Sequence, residues 1–274
     1  MTYWKAVILG AIYGLTELLP LSASGHLAAL DHFLRLGTRS DQLLLAAFLQ
    51  FGVMLAAGVT YRKELRTLLH PVKSEHHRRR KPSPAAVLQK RVRVMLAFGM
   101  IPVLAAVILS VFLDPLYEKP FFWVVMFAVS GGLMFLSARL GHGNRAEKNM
   151  TVLDAVTVGF SNMALLLPGL SQIGAGVAVG TMCGLDRRFS LKYSMLLLIP
   201  SSGLMGICLL IRAAAAGINV SQLTMCLAAM ACAFAAGLAS CFAMQIAVQK
   251  GKTEAFAYYC WGAGLVTLIL ALIS

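Results

Sequence analysis

Six uninterrupted apolar runs decide what this chain can fold into. They cover about 43–61, 94–113, 121–140, 193–211, 222–248 and 255–273. Each approaches the ~20 residues that an α-helix needs to cross the hydrocarbon core of a bilayer. Strands of a membrane barrel alternate apolar and polar residues, whereas these runs are continuous, so a β-barrel is disfavoured. Composition points the same way. The 274 residues are 59% hydrophobic and only 13% charged, against roughly half and a quarter in a soluble domain. That balance argues against a soluble enzyme, a disordered chain and a basic nucleic-acid arm. The six cysteines lie scattered in apolar stretches without metal-ligand spacing and read as small hydrophobes.

Two further apolar stretches, about 6–30 and 153–180, are broken in the middle by Pro, Gly and Ser. A cleaved signal peptide is a poor reading of the first, because Glu17 lies inside the apolar region and only Lys5 precedes it. Basic residues set the orientation. The stretch 62–93 carries 11 of the 24 Lys and Arg, so that side is expected to be cytoplasmic. If the two broken stretches enter and return without crossing, 19 of the 24 fall on that side. Only Lys5, Arg35, Arg39, Lys119 and Arg212 remain outside, with both termini. Counting the broken stretches as full spans would move basic loops across. The expected fold class is therefore all-α. It is a polytopic membrane protein with six transmembrane helices plus two re-entrant helical segments in an inverted repeat. One membrane domain, 1–274, comprises halves of about 1–145 and 146–274.

The motifs repeat with the topology. Leu18-Leu19-Pro20-Leu21-Ser22-Ala23-Ser24-Gly25 resembles Leu166-Leu167-Pro168-Gly169-Leu170-Ser171-Gln172-Ile173-Gly174. Paired interrupted segments in corresponding halves point to a binding site near the midplane. Non-helical backbone at that depth must line a cavity or be buried in protein. Glu17 is the one acidic residue deep in an apolar segment of the first half, and ionisable groups there are costly and functional by default. His26 follows nine positions later, with hydroxyls Ser22 and Ser24 between. A carboxylate, an imidazole and two hydroxyls beside a helix start suit a phosphate headgroup. Taken alone, His26 also fits a hydrogen-bonded helix-end histidine. In the second turn the candidates are Gly169, Ser171, Gln172 and Gly174, although glycines in membrane helices more often serve packing. Gln50 within a span fits either the site or interhelical hydrogen bonding. The basic run 73–93, with His76 and His77, is better explained by a loop near anionic lipid than by nucleic-acid or metal binding.

At these residues the sequence resembles the undecaprenyl-diphosphatase (bacitracin-resistance) family of bacterial inner-membrane proteins, over nearly the whole chain. The carriers are Gly14-Leu15-Thr16-Glu17-Leu18-Leu19-Pro20-Leu21-Ser22-Ala23-Ser24-Gly25-His26, Gln50-Phe51-Gly52, Gly99-Met100-Ile101-Pro102 and Pro168-Gly169-Leu170-Ser171-Gln172-Ile173-Gly174. Gly184, Arg187 and Pro200 follow. The resemblance implies paired inverted repeats and removal of one phosphate from undecaprenyl diphosphate on the outer side of the membrane, which regenerates the lipid carrier for peptidoglycan synthesis. It implies catalytic roles for Glu17, His26, Ser22 and Ser24. Ser171, Gln172, Gly169, Gly174 and Gln50 would bind substrate, and Glu17 would hold a divalent cation, Mg or Ca. The expected partners are a polyprenyl diphosphate or phosphate lipid, the bilayer and, as an open alternative, a second copy of the chain; nucleic acid is not among them.

Several family positions are replaced. Tyr13 stands where a first glutamate is usual, Ala46 where another is, Ala23 where a second hydroxyl is, and Gln172 and Ile173 where Arg-Ser is. Phosphoryl transfer depends on positioning and on charge that stabilises the phosphoryl oxygens, and Gln172 lacks the arginine's bidentate fork. Two readings follow: a diphosphatase working with a reduced site, or a catalytically impaired relative that binds or translocates a polyprenyl phosphate. A structural membrane subunit is a third.

Overall fold

The computed structural model describes residues 2–34, 37–70, 83–140 and 143–273. The run Arg78-Arg79-Arg80-Lys81, with His76 and His77, lies outside the described residues. Those that are described form α1 (Tyr3–Leu18), α2 (Ala23–Leu34), α3 (Arg39–Thr60), α4 (Arg62–Leu69), α5 (Pro84–Leu109) and α6 (Pro120–Leu140). After them come α7 (Val152–Ser161), α8 (Gln172–Met182), α9 (Arg187–Ala215), α10 (Leu223–Gln249) and α11 (Glu254–Ile273). Helices α3, α5, α6, α9, α10 and α11 are long and apolar enough to cross a membrane, and they coincide with the six apolar runs. The chain is thus an all-α polytopic membrane protein. Two helices begin well before their runs: α5 at Pro84 rather than 94, and α9 at Arg187 rather than 193. Their early turns carry Lys90, Arg91 and Arg93, or Arg187, Arg188 and Lys192. Long basic side chains keep their heads in water while their stems and backbone continue the helix, so hydropathy marks the buried stretch and not the helix start.

Helix starts follow from local chemistry. Thr38 and Asp41 form a capping box on α3, each side chain accepting the other's backbone N–H at 3.3 Å. Thr151 and Asp154 do the same on α7, at 3.1 and 2.8 Å.

The packing recurs as well. Helix α1 lies chiefly on α10, and α7 lies on α5; α3 packs on α9, and α6 on α11. Exchanging the halves maps this set of pairs onto itself, which is compatible with an internal repeat. Within a bilayer, close approach depends on small residues. Gly10 and Gly14 of α1 face Ala229 and Ala233 of α10, so these helices run parallel. Helix α1 stops where Leu18 meets Gly237, midway along α10. In the same way α7 runs parallel to α5. Arg91 donates to the Met150 carbonyl at 2.7 Å, and Gly99 abuts Gly159 further along. Helix α2 turns back to the beginning of α6, where His32 packs on Trp123 with ring centroids 5.6 Å apart. Helix α8 turns back towards the other end of α6, where the Ser137 and Thr181 hydroxyls are 2.8 Å apart. Each interrupted hairpin therefore starts and finishes at one end of the bundle, and the two use opposite ends. This geometry is compatible with re-entrant segments of inverted sense.

The charged ends are separate. Arg39, Asp114 and Arg212 meet at one end. Arg139–Glu254 (2.7 Å), Arg145–Asp154 (2.9 Å) and Lys192–Glu147 (2.6 Å) pair at the other.

Candidate functional site

The site is built on two broken turns. Pro20 ends α1, and the residue before it, Leu19, is extended, as a following proline demands. Ser22 has φ +64°, the left-handed region that non-glycine residues seldom enter. Such strain persists only where surrounding contacts hold it, and it clusters at functional sites. It reverses the chain, so that α2 starts at Ala23. In the second turn Gly169 has φ +99°, and Ser171 caps α8 by accepting the Gly174 N–H at 3.1 Å. The turns touch. A Cβ on Gly25 would fall 2.7 Å from the Gly169 Cα, and one on Gly174 would fall 3.0 Å from the Pro20 Cβ. Similar motifs some 148 residues apart in sequence are thus brought into direct contact.

A cavity of about 370 Å³ opens beside them. Tyr13, Glu17 and Ser24 line it from the first hairpin, Gln50 from α3, and Leu170 and Gln172 from the second turn. Glu17 is only 9% exposed. It has no hydrogen bond or ion pair among the described residues, although the Tyr13 and Tyr117 phenols lie near it. Gln50 stands beside the Tyr13 phenol, and its Oε1 is buried without a hydrogen-bond partner among the described residues. Gln172 donates from Nε2 to the Ser201 Oγ at 3.0 Å, so its amide is held in place. Tyr117, in the connection between α5 and α6, also faces the cavity. Burial, and then the Glu17 and Asp114 carboxylates, push its phenol above its usual range, which keeps it a hydrogen-bond donor.

Other residues expected at the site do not line the cavity. Ser22 is 2% exposed, and its Oγ accepts the Gly25 N–H at 3.4 Å. The His26 Nδ1 lies 2.8 Å from the Ser22 carbonyl, to which it donates. That leaves Nε2 to accept from the Tyr259 hydroxyl at 2.9 Å. The imidazole is further fixed between Phe127 and Tyr259. Ser171, Gly169 and Gly174 serve the turn and the contact between turns. The replaced positions divide too. Tyr13 and Gln172 face the cavity, whereas Ala23 and Ile173 are fully buried in the main core cluster.

Charged cavity-lining side chains that the motifs did not single out include Arg39, Asp114 and Arg212, which meet one another. They come from the start of α3, the α5–α6 connection and the end of α9. The one sequence signal for them was their place among the few charges on the basic-poor side, which says nothing of convergence. Among the described residues no three His, Cys, Asp or Glu side chains cluster as metal ligands. Glu17 with the orphaned Gln50 oxygen nevertheless fits a Mg²⁺-type ion. Such an ion takes oxygen ligands and commonly keeps one or two carboxylates, waters and the substrate phosphates.

A family model described as bacitracin resistance protein BacA matches residues 6–266. The chain is 30% identical to an undecaprenyl-diphosphatase of Halothermothrix orenii over 99% of each protein. It is 31% identical to one of Rubrobacter xylanophilus over 98% of each. With one of Syntrophotalea carbinolica it shares 29% over 96% of this chain and 97% of that protein.

Proposed function

The chain belongs to the bacitracin-resistance BacA family, and from that premise we propose that it is a membrane-embedded undecaprenyl-diphosphatase. It hydrolyses the diphosphate of undecaprenyl diphosphate, releases phosphate and returns the lipid carrier to peptidoglycan synthesis. The observation that carries this reading is the convergence of Glu17, Ser24, Gln50 and Gln172 on one cavity at the contact of the two turns. A headgroup can reach such a cavity while its prenyl chain stays in lipid. In the reaction a water oxygen attacks the terminal phosphorus, and the bond from that phosphorus to the bridging oxygen breaks. Glu17 takes the proton from water. Ser24 and Gln172 donate hydrogen bonds to phosphoryl oxygens and orient them, and Tyr117 adds a donor. His26 acts through the turn: by gripping the Ser22 carbonyl it holds the strained backbone that presents Ser24. Glu17 and Gln50 would hold a divalent cation, Mg or Ca, which would neutralise charge on the diphosphate.

The protein resides in the bacterial plasma membrane, with loop 62–93 cytoplasmic and the Arg39–Asp114–Arg212 end outside. The test is phosphate release from undecaprenyl diphosphate by purified protein in detergent, with and without divalent cation. Release above a no-protein control supports hydrolysis. Saturable lipid binding without release would instead favour the impaired reading, for which the uncharged Gln172 speaks.

A further inference from the structure

Five carboxylates line the cavity, those of Glu17, Asp31, Asp41, Asp114 and Glu118, against two cationic side chains, Arg39 and Arg212. The charged part of this wall is net negative, and the two arginines are its cationic side chains. Both guanidinium groups converge on a single oxygen, Asp114 Oδ2: Arg39 Nη2 at 2.5 Å, and Arg212 Nη2 in direct contact. One carboxylate oxygen cannot satisfy two planar five-donor forks, so most of their hydrogen-bonding capacity remains for an anion with more oxygens. The Arg212 side chain is only 19% exposed and that of Arg39 46% exposed. The helix ends that carry the arginines are joined independently of Asp114. Ser40 Oγ lies within hydrogen-bonding distance of the Gly217 and Ala213 carbonyls, at 2.6 and 3.3 Å, which ties the start of α3 to the end of α9.

We propose that Arg39 and Arg212 form the phosphate-holding end of the cavity, and that Asp114 is the resident anion a diphosphate displaces. This deepens the diphosphatase reading, on which it rests, by assigning the positive charge that Gln172 does not supply at the second turn. A phosphate in the arginine fork forms charge-assisted, bidentate hydrogen bonds. Asp114 competes with it, so that binding is an exchange of anions.

The alternative role for the triad is a structural latch, and the two roles predict opposite signs. The experiment measures calorimetric binding of inorganic pyrophosphate and of farnesyl diphosphate to the purified full chain in detergent, beside its thermal midpoint. Arg212→Gln should weaken both ligands by about 10- to 100-fold, the range expected for one charge-assisted contact. Arg39→Gln should weaken them less. Asp114→Asn should tighten both severalfold, because the competing anion is gone. Arg139→Gln, which breaks an exposed ion pair at the far end, should change neither. If Arg212→Gln does not fold, Arg212→Lys, which keeps the charge without the fork, should show an intermediate loss, and Asp114→Asn decides the sign by itself. Unchanged binding in Arg212→Gln at the wild-type midpoint would overturn the proposal. So would weakened binding in Asp114→Asn, or no pyrophosphate binding by the wild type. Arg212-dependent pyrophosphate binding without phosphate release from undecaprenyl diphosphate would uphold this assignment while the diphosphatase reading fell.

Discussion

Glu17 combines burial, the absence of a partner among the described residues and a place on the cavity wall. A carboxylate held that way costs folding free energy and is retained where chemistry uses it. Glu17→Gln should therefore cut phosphate release by about 10²–10⁴-fold, the usual worth of a positioned proton acceptor. Its thermal midpoint in detergent should be equal to or above the wild type's, and a falling midpoint would mean that Glu17 is structural. The replaced family positions separate in the same way. Gln172→Arg faces the cavity and should raise turnover by about 10²-fold, by analogy with adding one preorganised charged donor. Ile173→Ser sits at 0% exposure in the core; it should leave turnover low and cost about 2–4 kcal/mol in an unfolding titration, through the lost side-chain volume and a buried hydroxyl. Sequence spacing flagged both Ser22 and Ser24 but could not tell which hydroxyl faces the cavity. The left-handed backbone at Ser22 turns its Oγ to the α2 start and leaves Ser24 on the cavity wall. That choice depends on a dihedral angle, which residue order alone does not encode. His26 was legible as a residue of the turn, but its engagement with Tyr259, 233 positions away, was not.

At the scale of elements, the six spans were legible because continuous apolar length is a one-dimensional property. The two hairpins were legible because Pro, Gly and Ser interrupt them. The contact faces were not legible, since many small residues in these helices could have served. Gly14 and Gly58 show the difference. A Cβ on Gly14 would lie 2.3 Å from the Ala233 carbonyl oxygen, whereas one on Gly58 would meet nothing within 4 Å. Gly14→Ala must push α1 off α10 and should destabilise by about 1–3 kcal/mol, as overpacking does. Because α1 carries Glu17 and leads into the first turn, phosphate release should fall with it. Gly58→Ala relieves only the helix penalty of glycine and should stabilise by about 0.5–1 kcal/mol. Thermal midpoints of the two variants in one detergent check the contrast, and similar shifts for both would mean that the α1–α10 contact gives way easily. The charged triad was the least legible feature of all. It joins the start of one helix, a connection and the end of another, from positions 39, 114 and 212, and no local pattern marks such a meeting.

For the whole molecule, the distribution of basic residues predicts an orientation, and the placement of the cavity says which side its mouth would then face. The sequence puts Arg39, Lys119 and Arg212 on the basic-poor side and Arg139, Arg145, Arg187 and Lys250 on the basic-rich side. In the fold the first set stands around the end that the cavity reaches, and Arg139–Glu254, Arg145–Asp154 and Lys192–Glu147 mark the opposite end. By the usual bias the basic-rich end is expected to face the cytoplasm, which predicts that the cavity opens outward. Exposed positions near the two ends allow this to be measured: Ser221, just before α10, and Lys250, just after it. In a variant whose native cysteines are replaced, Ser221→Cys should react with a membrane-impermeant thiol reagent in intact cells. Lys250→Cys should react only after permeabilisation. Because α10 is one uninterrupted helix of 27 residues, the two sites must lie on opposite sides if it spans. Equal labelling of both in intact cells would mean that α10 does not cross, and reversed labelling would turn the cavity mouth, and the arginine pair with it, to the cytoplasm.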